Sequence, residues 1–164
     1  MENRTKHTYH TNLYQFVKNI AVVCPNCEGK AVVHTGNFHE LKMEIDLVKV
    51  VCPACGYNKT LENIPKREDK NQRRGLIKIF GAPIDPFFHL PVWYQAEFSG
   101  EILWAYNQEH LNFLADHVGA KLRERNGLPF RVKSIGARLP RWMTAADNRE
   151  AVLKAIEKLK EKTH

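Results

Sequence analysis

The sequence holds no apolar run near the roughly 18 residues that a membrane-crossing helix needs. Its first residues, Met1-Glu-Asn-Arg-Thr-Lys-His7, lack the apolar stretch of a secretory signal. A phosphate-binding glycine loop, a G-x-S-x-G elbow and an H-E-x-x-H pair are all missing. So are internal repeats and low-complexity tracts. Cysteine is scarce, with four in 164 residues. These absences argue against a membrane-spanning chain and against the commonest nucleotide-binding, esterase and metalloprotease signatures. An apolar share of 43% and a charged share of 26% also exclude collagen-like and fully disordered chains. A cytosolic location with reduced cysteines is the expectation. The length suits one domain or two small ones.

What is present begins with the cysteines. All four fall into two identical frames, Cys24-Pro-Asn-Cys27 and Cys52-Pro-Ala-Cys55, separated by a spacer of 24 residues. Paired C-x-x-C frames read as a tetrathiolate metal site. Pro25 and Pro53 stiffen each turn, and Gly29 and Gly56 permit positive φ, which lets backbone N–H groups face the sulfurs. Four thiolates suit one Zn²⁺ and close its shell, so the metal is structural rather than catalytic. Iron in the same ligands, as in rubredoxins, is not distinguished by spacing. A disulfide pair fits a reduced compartment poorly, and a thioredoxin-like redox site needs a βαβ frame absent here.

The spacer predicts a β-ribbon. Lys30–Thr35 reads as a strand and Gly36-Asn37 as its turn. Leu41, Met43, Ile45 and Leu47 alternate with polar residues, a half-buried strand that runs on into Cys52. Tyr57–Leu61 supplies a third strand. The stretch from about Ile20 to Leu61 resembles the zinc ribbon of transcription factor IIB and its bacterial relatives. Ribbons of that family serve DNA, RNA and protein contacts alike, so the resemblance implies a fold rather than an activity.

Charge divides the remainder. The formal net charge is +7; four thiolates and one Zn²⁺ add −2, leaving about +5 in a loaded protein. The division predicted is a basic arm at 1–19, a zinc ribbon at 20–64, a basic linker at 65–75 and an α+β unit at 76–164. Leu76–Phe80 reads as a strand. Pro91–Phe98 and Glu101–Tyr106 flank Ser99-Gly100, a two-residue hairpin turn that pairs Trp93 with Tyr106 and Gln95 with Trp104. A helix capped by Asn107 carries Leu111, Leu114, Val118 and Leu122 on one stripe and ends near Asn126-Gly127. A second, capped by Asp147 or Asn148, buries Val152, Ala155, Ile156 and Leu159. The stretch Leu103–Leu111 and the last helix resemble bacterial proteins grouped only by their zinc ribbon, which implies no activity. The fold class is therefore α+β: a three-stranded ribbon followed by a hairpin and two helices.

No catalytic site is expected. Asp85 and His89 flank Pro86-Phe-Phe88, yet an Asp before Pro is an ordinary turn starter. His110 and His117 read as surface or boundary residues. Seven of the 16 aromatic residues lie between Phe87 and Tyr106, as a small core requires. The favoured reading is nucleic-acid binding through Lys66, Arg67, Arg73, Arg74, Arg131, Lys133, Arg138, Arg141 and Trp142, with Lys and Arg on phosphates and the indole stacking on bases. The alternative is a protein adaptor, or an inhibitor or immunity-type protein, marked by an exposed apolar patch. Neither a membrane nor a small-molecule substrate is implied.

Overall fold

The structure, a computed structural model, describes residues 4–5, 11–36, 38–39, 44–45, 47–61, 79–120, 122–123 and 139–162. The strands are β1 (Arg4–Thr5), β2 (Ile20–Val23), β3 (Lys30–Thr35), β4 (Phe38–His39), β5 (Glu44–Ile45), β6 (Val48–Val51), β7 (Asn58–Leu61), β8 (Tyr94–Phe98), β9 (Glu101–Ala105) and β10 (Leu122–Arg123). The helices are α1 (Gln108–Gly119), α2 (Arg141–Thr144) and α3 (Arg149–Lys160). None of them is long and apolar enough to cross a membrane.

The central element is a four-stranded antiparallel sheet in the order β2-β3-β6-β7, one strand more than the expected three. The addition is β2, a short β-branched run that ends directly before Cys24. Ala31, Val33 and Thr35 of β3 and Val48 and Val50 of β6 point to one core. The strand expected to run unbroken from Leu41 into Cys52 is divided. Ile45 is buried on β5, but the inward phase then changes to Val48 and Val50, and Leu47 stands 50% exposed. Physical sense lies behind the break. An unbroken odd phase would have buried Lys49, and an unpaired buried ammonium is far costlier than one exposed leucine. Nor does the ribbon reverse at Gly36-Asn37. Phe38 and His39 pair with Ile45 and Glu44, so the reversal lies further out.

The outer edge of β2 is covered by the C-terminal half. Ala21 N–H donates to Tyr106 O (2.7 Å), Val23 N–H to Pro91 O (2.9 Å) and Trp93 N–H to Ala21 O (2.9 Å). Phe87, Val92 and Tyr106 thereby join the core of the sheet. A second core forms between the β8–β9 hairpin, α1 and α3, around Leu103, Leu111, Leu114, Val152 and Ile156. The hairpin takes the predicted register, with Gln95 opposite Trp104 and Phe98 opposite Glu101. Ser99 and Gly100 both have positive φ, +50° and +80°, as a type I′ turn demands. Of the strand expected at Leu76–Phe80, only Ile79 and Phe80 are described, and neither lies in a strand.

Asn107 caps α1 by accepting from His110 N–H at 2.9 Å. The helix stops at Gly119, seven residues before the expected Asn126-Gly127. Leu122 therefore belongs to β10, where it pairs with Arg4, and not to the helical stripe. A Cβ added to Gly119 would lie 3.9 Å from the Leu153 side chain of α3, and Ala120 leaves helical geometry with ψ of 121°. On α3, Val152, Ile156 and Leu159 are buried as expected, while Ala155 is half-buried. Asn148 occupies the N-cap position, but its side chain turns back to donate to Trp142 O (2.9 Å). Helix α2 was not foreseen.

Candidate metal centre

Each C-x-x-C frame folds as the same small loop. Its first cysteine ends a strand, Cys24 after β2 and Cys52 after β6, and both are buried. Its second cysteine, Cys27 or Cys55, stands exposed at the loop tip. Cys24 N–H donates to Gly29 O (2.8 Å) and Glu28 N–H to Cys24 O (3.0 Å). The second loop repeats both bonds five and four residues on: Cys52 N–H to Tyr57 O (2.7 Å) and Gly56 N–H to Cys52 O (3.0 Å). Asn26 N–H also points at Cys24 Sγ, 3.4 Å away. An N–H aimed at a thiolate favours the charged, metal-ligating form.

The sulfurs meet across the two loops. Cys24 Sγ lies 3.7 Å from Cys55 Sγ, and Cys27 Sγ lies 3.6 Å from Cys52 Sγ. All four are within 4.8 Å of one another. A tetrahedron with Zn–S bonds of about 2.3 Å has edges of about 3.8 Å, so the donor set fits one Zn²⁺. Without a cation the cluster is in electrostatic conflict. Asn26 and the Tyr57 N–H draw the Cys55 thiol down to about 6. Gly29 N–H favours the Cys27 thiolate, but the other sulfurs and desolvation outweigh it and push that thiol up to about 12. Four thiolates this close cannot all ionise unaided, and a divalent ion removes the conflict.

The glycines divide their work differently from expectation. Gly56 takes φ of +76°, but Gly29 does not need positive φ. A Cβ on Gly29 would lie 3.3 Å from Cys27 Sγ, so this glycine makes room for a ligand. The position equivalent to Gly56 is Glu28, whose φ is +60°. A non-glycine residue there carries a cost of about 1–2 kcal/mol, and glycine's extra chain entropy returns part of it. Glu28→Gly is therefore expected to stabilise the zinc-loaded protein by about 0.5–1 kcal/mol. Urea unfolding at fixed zinc checks this, and a destabilised variant contradicts it.

The other candidates fall into place as structural groups. Asp85 is fully buried. Its Oδ1 accepts from Phe87 N–H (3.0 Å) and Phe88 N–H (2.8 Å), and its Oδ2 from Leu90 N–H (2.6 Å). Burial pushes this carboxyl above the usual range against the pull of those N–H groups. It is the turn starter of its loop, and His89 takes φ of +59° within the same turn.

His110 and His117, expected near the surface, are both buried. His110 stacks on Phe16 with ring centroids 4.8 Å apart, and its Nδ1 accepts from Tyr106 N–H at 3.1 Å. Burial lowers its pKa to about 3. Since the unfolded imidazole titrates near about 6.5, this contribution is complete above that pH. It is lost as pH falls towards about 3, by up to about 1.4 kcal/mol per pH unit. The stability of His110→Gln should fall less steeply between pH 6 and 4 than that of the parent protein. Equal slopes in pH-dependent urea melts contradict this assignment. Thiolate protonation acts on both proteins alike.

Of the predicted nucleic-acid residues, Lys66, Arg67, Arg73, Arg74, Arg131, Lys133 and Arg138 lie outside the described residues. Arg141 is exposed at the start of α2. Trp142 is half-buried and stacked on Phe98, with ring centroids 5.3 Å apart, so one face of the indole is already taken. Sequence reasoning missed the outer face of the sheet, where His34 and Lys49 stand directly opposite each other. Comparison with protein-family models, curated proteins and solved structures found no match for this chain.

Proposed function

We propose that this chain is a zinc-dependent binding protein of the zinc-ribbon type. The observation that carries the reading is the closed set of four sulfurs at tetrahedral spacing. Such a shell leaves no coordination position for water or substrate, so the metal builds a scaffold and function falls to the surface. Zn²⁺ would be held by Cys24, Cys27, Cys52 and Cys55, and it would supply a cross-link between the two loops.

The partner that the charge favours is nucleic acid. The formal charge of +7 is concentrated in segments 65–75 and 131–142, the latter free of acidic residues. Arg141 is exposed and adjoins the Phe98–Trp142 stack, a pairing of guanidinium and aromatic that suits a single strand. The protein-adaptor reading draws on Ile102 of the hairpin, 49% exposed, and on Leu47 of the ribbon. Exposed apolar residues of this kind are ordinary on monomers when they stand singly.

The deciding experiment is binding of the zinc-loaded full chain to labelled single-stranded DNA, duplex DNA and RNA across a salt series. Affinity that falls steeply with salt, near −0.9 in log–log slope per phosphate contact on duplex DNA, supports the reading. No binding even at low salt overturns it and reduces the charge to a solubility feature.

A further inference from the structure

The four-stranded sheet has two faces, and the cores use them unequally. The inner face is covered along all four strands by the first core, including Val33, Val48, Val50 and Leu61. Among the described residues, the second core covers the outer face over β2, where Ala21 and Val23 pack into it. Beyond β2 the register brings one set of side chains together. Val32 of β3 pairs with Val51 of β6 and that with Asn58 of β7; His34 pairs with Lys49 and that with Thr60. Lys30 shares the alternation of Val32 and His34 on β3. None of these seven residues is buried.

The chemistry of the patch is one-sided. Its described residues offer two lysines, one histidine, an amide and a hydroxyl, and no carboxylate. Lys30 Nζ donates to Tyr94 OH (3.1 Å) and lies 5.2 Å from the centre of that ring, which holds it at the border with the hairpin. His34 Nδ1 meets Asn19 Oδ1 at 2.9 Å, which fixes the ring. Lys49 stands directly across from His34 in the register of β3 and β6, which places two nitrogen donors side by side. Val32 and Val51 keep the floor flat and β-branched, and the described patch contains no aromatic ring on which a base could stack.

We infer that this outer sheet face, Lys30, His34 and Lys49 with Asn58 and Thr60, is a docking surface for the phosphate backbone of a nucleic acid. Lysine with Asn and Thr side chains is a donor set that holds phosphate oxygens and fixes orientation without reading sequence. The surface rests on the nucleic-acid reading above but is separate from segments 65–75 and 131–142. It also ties binding to the metal, because β3 follows directly on the loop that carries Cys27 and β6 leads directly into the loop that carries Cys52.

The test compares the zinc-loaded full chain with His34→Gln/Lys49→Gln and, as a control, with Lys154→Gln/Lys158→Gln on the exposed side of α3. Zinc content and melting temperature establish that each variant is folded. The probes are a labelled duplex, the matching single strands and poly-glutamate. The expected result is binding about 3- to 10-fold weaker for the sheet variant, with a salt slope shallower by about one, and little change for the control. Unchanged nucleic-acid binding by the sheet variant, with loss confined to Arg141→Gln or Lys66→Gln/Arg67→Gln, overturns this inference and leaves the broader reading standing. Poly-glutamate bound as tightly as the duplex also overturns it, in favour of an acidic protein partner. Failure of the unmodified protein to bind any nucleic acid overturns both.

Discussion

Cys52→Ser should release the metal and unfold the sheet. Cys52 is buried in the same core as Val22, Val33 and Val50, and its sulfur faces Cys27 across the cluster at 3.6 Å. Serine at this position offers a poor ligand and puts a hydroxyl into that core. Structural zinc supplies an apparent free energy of about 10–16 kcal/mol in small zinc domains at neutral pH. Whole domains are stable by only about 5–15 kcal/mol, so even part of that loss exceeds the margin. Metal analysis should give far less than one equivalent, and amide exchange at Val33 and Val50 should accelerate at least about 100-fold. Full zinc content with an unchanged melting profile would sink the claim.

The second large effect belongs to Asp85. Its carboxylate accepts from three backbone N–H groups while fully buried, and it orders the loop that sets Phe87 into the sheet core. Asp85→Ala leaves those donors without their acceptor. Each hydrogen bond to a charged group is worth about 1.5–3 kcal/mol, and water can reach part of the loop, so a loss of about 3–5 kcal/mol is expected. Asp85→Asn keeps one carbonyl oxygen and should lose less. Urea unfolding of both variants, at saturating zinc, gives the comparison; an Asp85→Ala loss below about 1 kcal/mol contradicts this role.

These two sites differ in how far the sequence foretold them. The cysteine frames were legible because ligand spacing is local and the chemistry admits few alternatives. The hairpin at Ser99-Gly100 was legible for a similar reason, since a two-residue turn dictates register. Asp85 could be read as a turn starter or as an acid, and only its burial with three N–H donors separates the two.

Other features depend on partners distant in the chain. The end of α1 at Gly119 follows from the pairing of Leu122 with Arg4, which is not visible in the helix itself. The phase change between Ile45 and Val48 could have been suspected from Lys49, which a continuous pattern would have buried. The outer-face patch followed from that same change, because Lys49 joins His34 only once the phase is known. Glu28 gives no sign in sequence of its positive φ. Aligning the two loops from their first cysteines places it opposite Gly56 and would have found it.

The central claim is that one zinc ion joins the two loops through four sulfurs. Zinc-edge X-ray absorption on the purified full chain, alongside elemental analysis, tests it most directly. The account predicts one zinc per chain with four sulfur neighbours at about 2.3 Å. Iron in place of zinc, fewer than four sulfur neighbours, or a folded chain that holds no metal would contradict it.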